Sequence, residues 1–161
     1  MSIFALLFLV INLMCPCKYK LYIKKYSLNN SIEPSLVCAI IYCESRFDKN
    51  AKSSKNACGL MQILPNTAKK FYFDDKVEFY DEMLFDAEIN IRIGVDYLKY
   101  LFGKYKDEVT VLACYNAGER NVLEWIGDGL YLEKTQIQFK ETEKYIKKVQ
   151  KMKVFYENMG F

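Results

Sequence analysis

From Lys18 to the C-terminus apolar residues recur at helical spacing, and no run of six alternates with period two for long enough to make a sheet. Pro34 occupies a first-turn position, and Leu36, Val37, Ile40, Ile41, Glu44 and Phe47 follow on one helix that should end near Phe47. Residues 48–59, polar and small, read as a loop. Pro65 opens a short helix with Ala68 and Phe71. Asp86 can cap a longer one whose apolar positions are Ile91, Val95, Leu98, Leu101, Phe102 and Tyr105. Val109, Leu112 and Ala113 lead into a helix that stops near Gly118. Val122, Trp125 and Ile126 make a short one closed by Gly127 and Gly129. Tyr145, Val149, Met152 and Tyr156 stripe the last. The expected fold class is all-α, without an internal repeat or a long linker. With 161 residues, 52% of them hydrophobic, the chain can fill one domain with a real core but not two.

The residue inventory narrows the chemistry. The chain has no histidine, which removes Ser-His-Asp and Cys-His nucleophile systems, His-containing zinc sites and imidazole acid–base catalysis. Carboxylates, Lys, Tyr and Cys remain. A net charge of +3 is too small for a dedicated nucleic-acid surface. The positive excess gathers at Lys140, Lys144, Lys147, Lys148, Lys151 and Lys153, which read as a solvated helix face, with weak attraction to an anionic envelope polymer as the sharper alternative. The six cysteines do not form a disulfide framework: Cys38, Cys43, Cys58 and Cys114 sit in apolar or small-residue contexts and read as small buried hydrophobes. A Cys43–Cys58 disulfide stays open, and no cysteine pair has a second pair at zinc spacing, so no metal is expected.

Residues 3–15 form an apolar run as long as a signal-peptide core and shorter than a membrane-spanning helix of about 20 residues. Residues 1–17 therefore read as a targeting or anchor segment, and 18–161 as the functional domain. No basic residue precedes the run, while Lys18, Lys20, Lys24 and Lys25 follow it, an orientation that taken literally keeps the domain inside. A start placed too late would remove that conflict. No small-residue lipid-attachment pattern precedes Cys15 or Cys17.

Glu44 is the unusual residue, lying four positions after Ile40 on the face that should enter the core. It is either a paired or boundary charge or a carboxyl set against apolar walls, whose raised pKa would suit a general acid near neutral pH. Asp48 offers a second carboxylate four residues on. Gly59-Leu60-Met61-Gln62-Ile63 and Cys114-Tyr115-Asn116-Ala117-Gly118 are individually weak patterns. Their order and spacing relative to Glu44 give them meaning.

Residues 32–63 resemble the core of the lytic transglycosylase catalytic domain, the soluble-transglycosylase-like branch of the lysozyme superfamily. The family's Glu-Ser, a Ser nine residues after the Glu, and Gly-Leu-Met-Gln stand here as Glu44-Ser45, Ser53 and Gly59 to Gln62. Its Ala-Tyr-Asn-Ala-Gly appears as Cys114 to Gly118. A third motif appears as Ile137-Gln138-Phe139 through Glu141-Thr142 to Tyr145-Ile146, and Leu84 to Gly94 is similar to the connecting helix. The likeness extends over about residues 19–158. It implies a lysozyme-like helical domain with Glu44 as sole catalytic acid/base. It further implies substrate contacts from Ser45, Ser53, Met61, Gln62, Tyr115, Asn116 and Tyr145, with Glu141 in support. Asn56 stands where the family usually has Gly; Asn is the next best residue for a positive-φ turn. Cys58 and Cys114 replace small or apolar residues, and Gln138 replaces a usual Pro.

The resemblance implies peptidoglycan as substrate and partner, cut at the β-1,4 bond between N-acetylmuramic acid and N-acetylglucosamine. The expected products carry 1,6-anhydromuramic ends. It also implies no cofactor and an extracytoplasmic, monomeric enzyme, touching the membrane through its N-terminal segment. Two rivals remain open at this stage. One is a lysozyme-type hydrolase in which Asp48 or Asp86 positions a water; the other is a non-catalytic glycan-binding module. The thirteen Tyr, eleven Phe and one Trp suit a cleft that stacks sugar faces, although most must be core, and Trp125 has no claim to the glycan on composition.

Overall fold

The computed structural model describes residues 19–74, 77–127, 129 and 131–161. Among these the regular elements are helices: α1 (Lys20–Asn29), α2 (Pro34–Ser45), α3 (Pro65–Phe71), a 3₁₀ turn (Asp81–Phe85), α4 (Ala87–Lys104), α5 (Glu108–Ala117), α6 (Glu119–Ile126), a second 3₁₀ turn (Lys134–Gln136) and α7 (Lys140–Asn158). Pairing between extended segments is confined to two isolated bridges, Lys52–Cys58 and Cys58–Ile63, which tighten the loop after α2. The apolar run 3–15 lies outside the described residues. No described helix is long and apolar enough to cross a membrane.

α2 is the axis of the core. Ser35 to Ile41 are all buried, so the helix is covered on every side, as a sequence apolar all round requires. It packs most extensively on α7, which contributes Ile146, Val149, Met152 and Tyr156. Pro34 takes the first helical position, where a missing N–H costs nothing. The carboxylates of Asp86 and Asp107 cap α4 and α5, accepting from the N–H groups of Ile89 (2.9 Å) and Thr110 (2.8 Å). Gly118, at φ 87°, ends α5 and turns the chain directly into α6.

α2 stops at Ser45, two residues short of the end that its apolar spacing suggests. Arg46 and Phe47 both take left-handed backbone angles, φ 52° and 64°. Such angles cost an L-residue roughly 1–2 kcal/mol each, and burial of the Phe47 ring offsets that cost. The ring lies 6.4 Å from Tyr19, stacked, and 6.4 Å from Tyr156, edge-on. The reversal leaves Glu44 in the last turn of α2, where the helix opens toward the following loop.

The lysine-rich face of α7 is solvated at Lys140, Lys144, Lys147, Lys148 and Lys151, but not at Lys153. That side chain is 18% exposed and pairs with Glu33 and Glu108, fastening α7 to the start of α2 and the first turn of α5. Among the described residues no disulfide joins Cys38, Cys43, Cys58 and Cys114, so the open Cys43–Cys58 pairing does not form. Cys38, Cys58 and Cys114 are buried and Cys43 is half-buried, so they act as apolar filler. Trp125 is buried, with its ring edge-on to Phe139 at 4.8 Å.

Candidate active site

Four stretches that are remote in sequence meet at one cleft of about 490 Å³. Glu44 comes from the end of α2, Ser53 and Gln62 from the loop that follows, Tyr115 and Asn116 from the end of α5, and Glu141 and Thr142 from the first turn of α7. Tyr97 of α4, Thr67 of α3 and Asn121 of α6 also line it. A separate cavity of about 390 Å³ holds Glu33, Glu108 and Lys153, whose charges already satisfy one another, so it presents no free acid.

Glu44 is the chemically perturbed group. Burial pushes its carboxyl from the ordinary 4.5 up to about 7, against the opposing pull of the Tyr145 hydroxyl and the Lys148 ammonium. Tyr115 and Tyr145 are held well above the usual phenol range, first by burial and then by the Glu44 charge, so both remain protonated donors. The Tyr115 hydroxyl donates to the Met61 carbonyl at 2.8 Å. That of Tyr145 is shut away from solvent without a regular hydrogen-bond partner, close enough to Glu44 to favour its ionised form.

The loop carrying Ser53 and Gln62 is set by its own backbone needs. Asn56 sits at φ 65°, the left-handed conformation that the sequence position demands. Ser53 Oγ accepts from the Ala57 N–H at 3.0 Å and keeps its proton for another partner. Gln62, at φ 48°, spends Nε2 on the carbonyls of Ala51 (3.0 Å) and Gly59 (2.9 Å), which leaves Oε1 as its free polar atom. Beneath the loop, Asn90 of α4 is completely buried and fully used. Its Oδ1 accepts from the Met61 N–H (2.8 Å), and its Nδ2 donates to the carbonyls of Cys58 (2.9 Å) and Leu84 (2.8 Å). Gly59, at φ 77°, lies so close to Leu84 and Asn90 that a Cβ there would overlap both.

Three of the expected contacts, Met61, Ser45 and Tyr145, do not line the cleft, Tyr145 because its hydroxyl is closed off beside Glu44. Met61 has no exposed surface, and its thioether fills the space left by the missing side chain of Gly94. Only its carbonyl serves the site, by holding Tyr115. Ser45 bonds the carbonyls of Leu60 (2.7 Å) and Ile41 (3.2 Å), tying the end of α2 to the loop. The spare carboxylates are also placed elsewhere. Asp48 accepts from the Asn50 N–H at 2.9 Å and Asp86 caps α4, and neither lines the cleft. No site role was expected of Asn90, Tyr97, Thr142 or Lys148, although Thr142 stands in the third motif and Lys148 in the lysine-rich face. A signal existed for Asn90 and Thr142, since each is a polar residue on an apolar stripe, with Gly94 and Ile146 one turn further along.

A helical frame that closes on a desolvated glutamate at the end of a buried helix defines the lysozyme-like, all-α class. The chain belongs to the family of the transglycosylase SLT domain, whose model matches residues 21–138. It is 32% identical over 151 residues to the soluble lytic murein transglycosylase of Escherichia coli K12, covering 88% of this chain and 23% of that protein. It is 35% identical over 117 residues to the membrane-bound lytic murein transglycosylase C of Photorhabdus laumondii, covering 66% of this chain and 33% of that one. Among solved structures, the lytic transglycosylase Slt of Pseudomonas aeruginosa, determined as an inactive mutant, superposes with a TM-score of 0.79 at 29% identity. That match covers 89% of this chain and 24% of the other. The 70-kDa soluble lytic transglycosylase in complex with bulgecin A also gives 0.79, at 32% identity over 89% and 25% of the two chains. The chain thus spans about a quarter of the length of the soluble relatives it matches.

Proposed function

We propose that the chain is a peptidoglycan lytic transglycosylase that cleaves the β-1,4 bond between N-acetylmuramic acid and N-acetylglucosamine and leaves 1,6-anhydromuramic ends. The observation that carries this reading is the cleft's carboxyl inventory. Among the described residues lining it, Glu44 and Glu141 are the only carboxyls, and only Glu44 is desolvated, with its pKa raised to about 7. Glu141 is exposed in the first turn of α7. A two-carboxylate hydrolase needs a second acid positioned to act as nucleophile or to activate water. The two aspartates that could have served are engaged in a turn and a cap.

One carboxyl then works twice. Protonated Glu44 donates to the glycosidic oxygen as the bond breaks, help typically worth ~10²–10⁴-fold. The sugar's own acetamido oxygen bonds the anomeric carbon and takes the place of a protein nucleophile. Ionised Glu44 next removes the proton of the muramic C6 hydroxyl. That oxygen closes on the anomeric carbon, the acetamido group is released, and no water is consumed. Tyr145, buried beside Glu44, steadies the ionised state between the two transfers. Ser53, the free Oε1 of Gln62, Tyr115 and Asn116 hold acetamido and hydroxyl groups, with Glu141 in support from α7. A peptidoglycan substrate puts the enzyme at the cell envelope, and its likeness to a soluble and a membrane-bound lytic murein transglycosylase supports that reading. We assign it as a monomer without a cofactor, whose residues 3–15 contact the membrane.

Mass spectrometry of the products from purified peptidoglycan tests the reading. Released muropeptides should be lighter by one water than their reducing counterparts, and a purely reducing set would overturn it. Glu44→Gln should abolish wall clearing; equal clearing by the two proteins would remove Glu44 from the catalytic role.

A further inference from the structure

The Thr142 hydroxyl is an unassigned polar group within the cleft. Thr142 stands in the first turn of α7 with 1% of its surface exposed, yet it belongs to the cleft lining together with Asn116. Its Oγ1 donates to Asn116 Oδ1 at 2.9 Å. An asparagine amide is nearly symmetric in shape and opposite in chemistry at its two ends, so what a cleft offers depends on which end is held. With Oδ1 occupied by the threonine, Nδ2 and its two protons are the end left for a bound molecule. Thr142 can hold that arrangement because its own position is fixed three ways. Its branched Cβ restricts the side chain within a helix. The turn is anchored by Phe139, whose ring packs edge-on against Trp125. Its neighbours along the stripe, Ile146 and Val149, are buried.

We infer that Thr142 is a positioning residue that orients the Asn116 amide as a hydrogen-bond donor, so that the cleft selects an acceptor, such as the carbonyl oxygen of an N-acetyl group, at that point on the substrate. The inference rests on the reading of this cleft as a glycan site. A threonine placed there only to fill space would be replaced without functional loss by valine, which has nearly the same shape. An orienting threonine would not.

Three variants and two readouts decide. Thr142→Val should lower kcat/KM on soluble glycan strands by roughly tenfold, the effect of one lost hydrogen bond, with a near-wild-type melting temperature. Thr142→Ser should recover most of that loss because it keeps the hydroxyl. In an Asn116→Ala background, Thr142→Val should change kcat/KM by less than about twofold, since the group it orients is gone. Full activity of Thr142→Val, or an equal loss in the Asn116→Ala background, overturns the inference. The second readout needs no turnover. In the ligand-free protein the two Asn116 side-chain amide protons, followed by NMR, should shift in Thr142→Val and stay near their wild-type positions in Thr142→Ser. If the wild type releases no anhydro products, the functional reading has failed while this readout still decides the orientation; unchanged amide resonances in the valine variant overturn it.

Discussion

Glu44→Gln should make the protein more stable at neutral and alkaline pH while abolishing its chemistry. The folded state holds the Glu44 proton more tightly than the unfolded chain, with a pKa of about 7 against an ordinary 4.5. Below pH 4.5 both states are protonated and the residue is neutral in each. Between 4.5 and 7 the unfolded chain has lost the proton and the folded protein retains it, so stability falls as pH rises through this window. Above 7 both are ionised and the deficit is constant. At 1.36 kcal/mol per pH unit the full deficit is about 3 kcal/mol, a ceiling because the carboxyl borders a wet cleft. For a chain of this size that corresponds to a melting-temperature gain of roughly 6–12 °C at most. Calorimetric melts of both proteins from pH 4 to 8.5 isolate the effect, since every other titrating group is shared. The curves should coincide near pH 4 and separate by pH 7, with the glutamine variant higher. A gap that is constant with pH, or a less stable glutamine variant at pH 8.5, would refute the reasoning. The same pKa should appear as the basic limb of kcat/KM near pH 7, because the group that donates the first proton must carry it.

Asn90→Ala should destabilise the protein by about 3 kcal/mol in urea titrations, because it strands the Met61 N–H and the Cys58 and Leu84 carbonyls in the interior. Activity should fall even at temperatures where the variant remains folded. Gly94→Ala drives a methyl into the Met61 thioether and should cost about 1–3 kcal/mol; in a double-mutant cycle with Met61→Ala the two effects should be clearly non-additive. Site-resolved alkylation at pH 7.5 should leave Cys38, Cys58 and Cys114 unlabelled in the native protein through burial. Cys43 should label slowly, since burial pushes its thiol up to about 11. Rapid native labelling of Cys114 would contradict the closed packing behind Tyr115.

The helices were legible because their signals are local: Pro34 at a first turn, Asp86 as a cap, Gly118 and Gly127 as stops, and apolar stripes at helical spacing. The end of α2 was not, since two left-handed non-glycine residues are held there by Phe47 packing against Tyr19 and Tyr156, partners 28 and 109 positions away. The same division holds in the site. Motif order singled out Glu44, Gln62, Tyr115 and Asn116, all of which line one cleft. It could not separate a motif residue that faces the cleft from one that supports it. Met61 turns away because Gly94 leaves a space beneath it, and Ser45 because the Leu60 carbonyl lies within reach. Asn90 and Thr142 show in the sequence only as polar residues on apolar stripes; their partners belong to other elements, so spacing along the chain does not tell what they hold.

Those supports form a connected frame around one acid. Ser45 joins α2 to the loop, Asn90 and Tyr115 join the loop to α4 and α5, and Thr142 joins α5 to α7. The elements that carry Glu44, Gln62, Tyr97, Tyr115 and Thr142 are thus tied to one another by hydrogen bonds, which fixes geometry before any substrate arrives. A carboxyl that must first donate and then accept a proton also needs a pKa near the working pH. Here burial raises it while Tyr145 and Lys148 restrain it. Lys148 is exposed and reaches Glu44 through charge alone, so its share can be removed without disturbing the frame. Lys148→Met should therefore move the basic limb of kcat/KM to higher pH and leave the plateau below it nearly unchanged. Salt screens an exposed cation, so raising the ionic strength should move the wild-type limb in the same direction and the variant's much less. A limb that stays in place, or moves to lower pH, would show that the ammonium does not act on Glu44, and that burial and Tyr145 alone set its proton affinity.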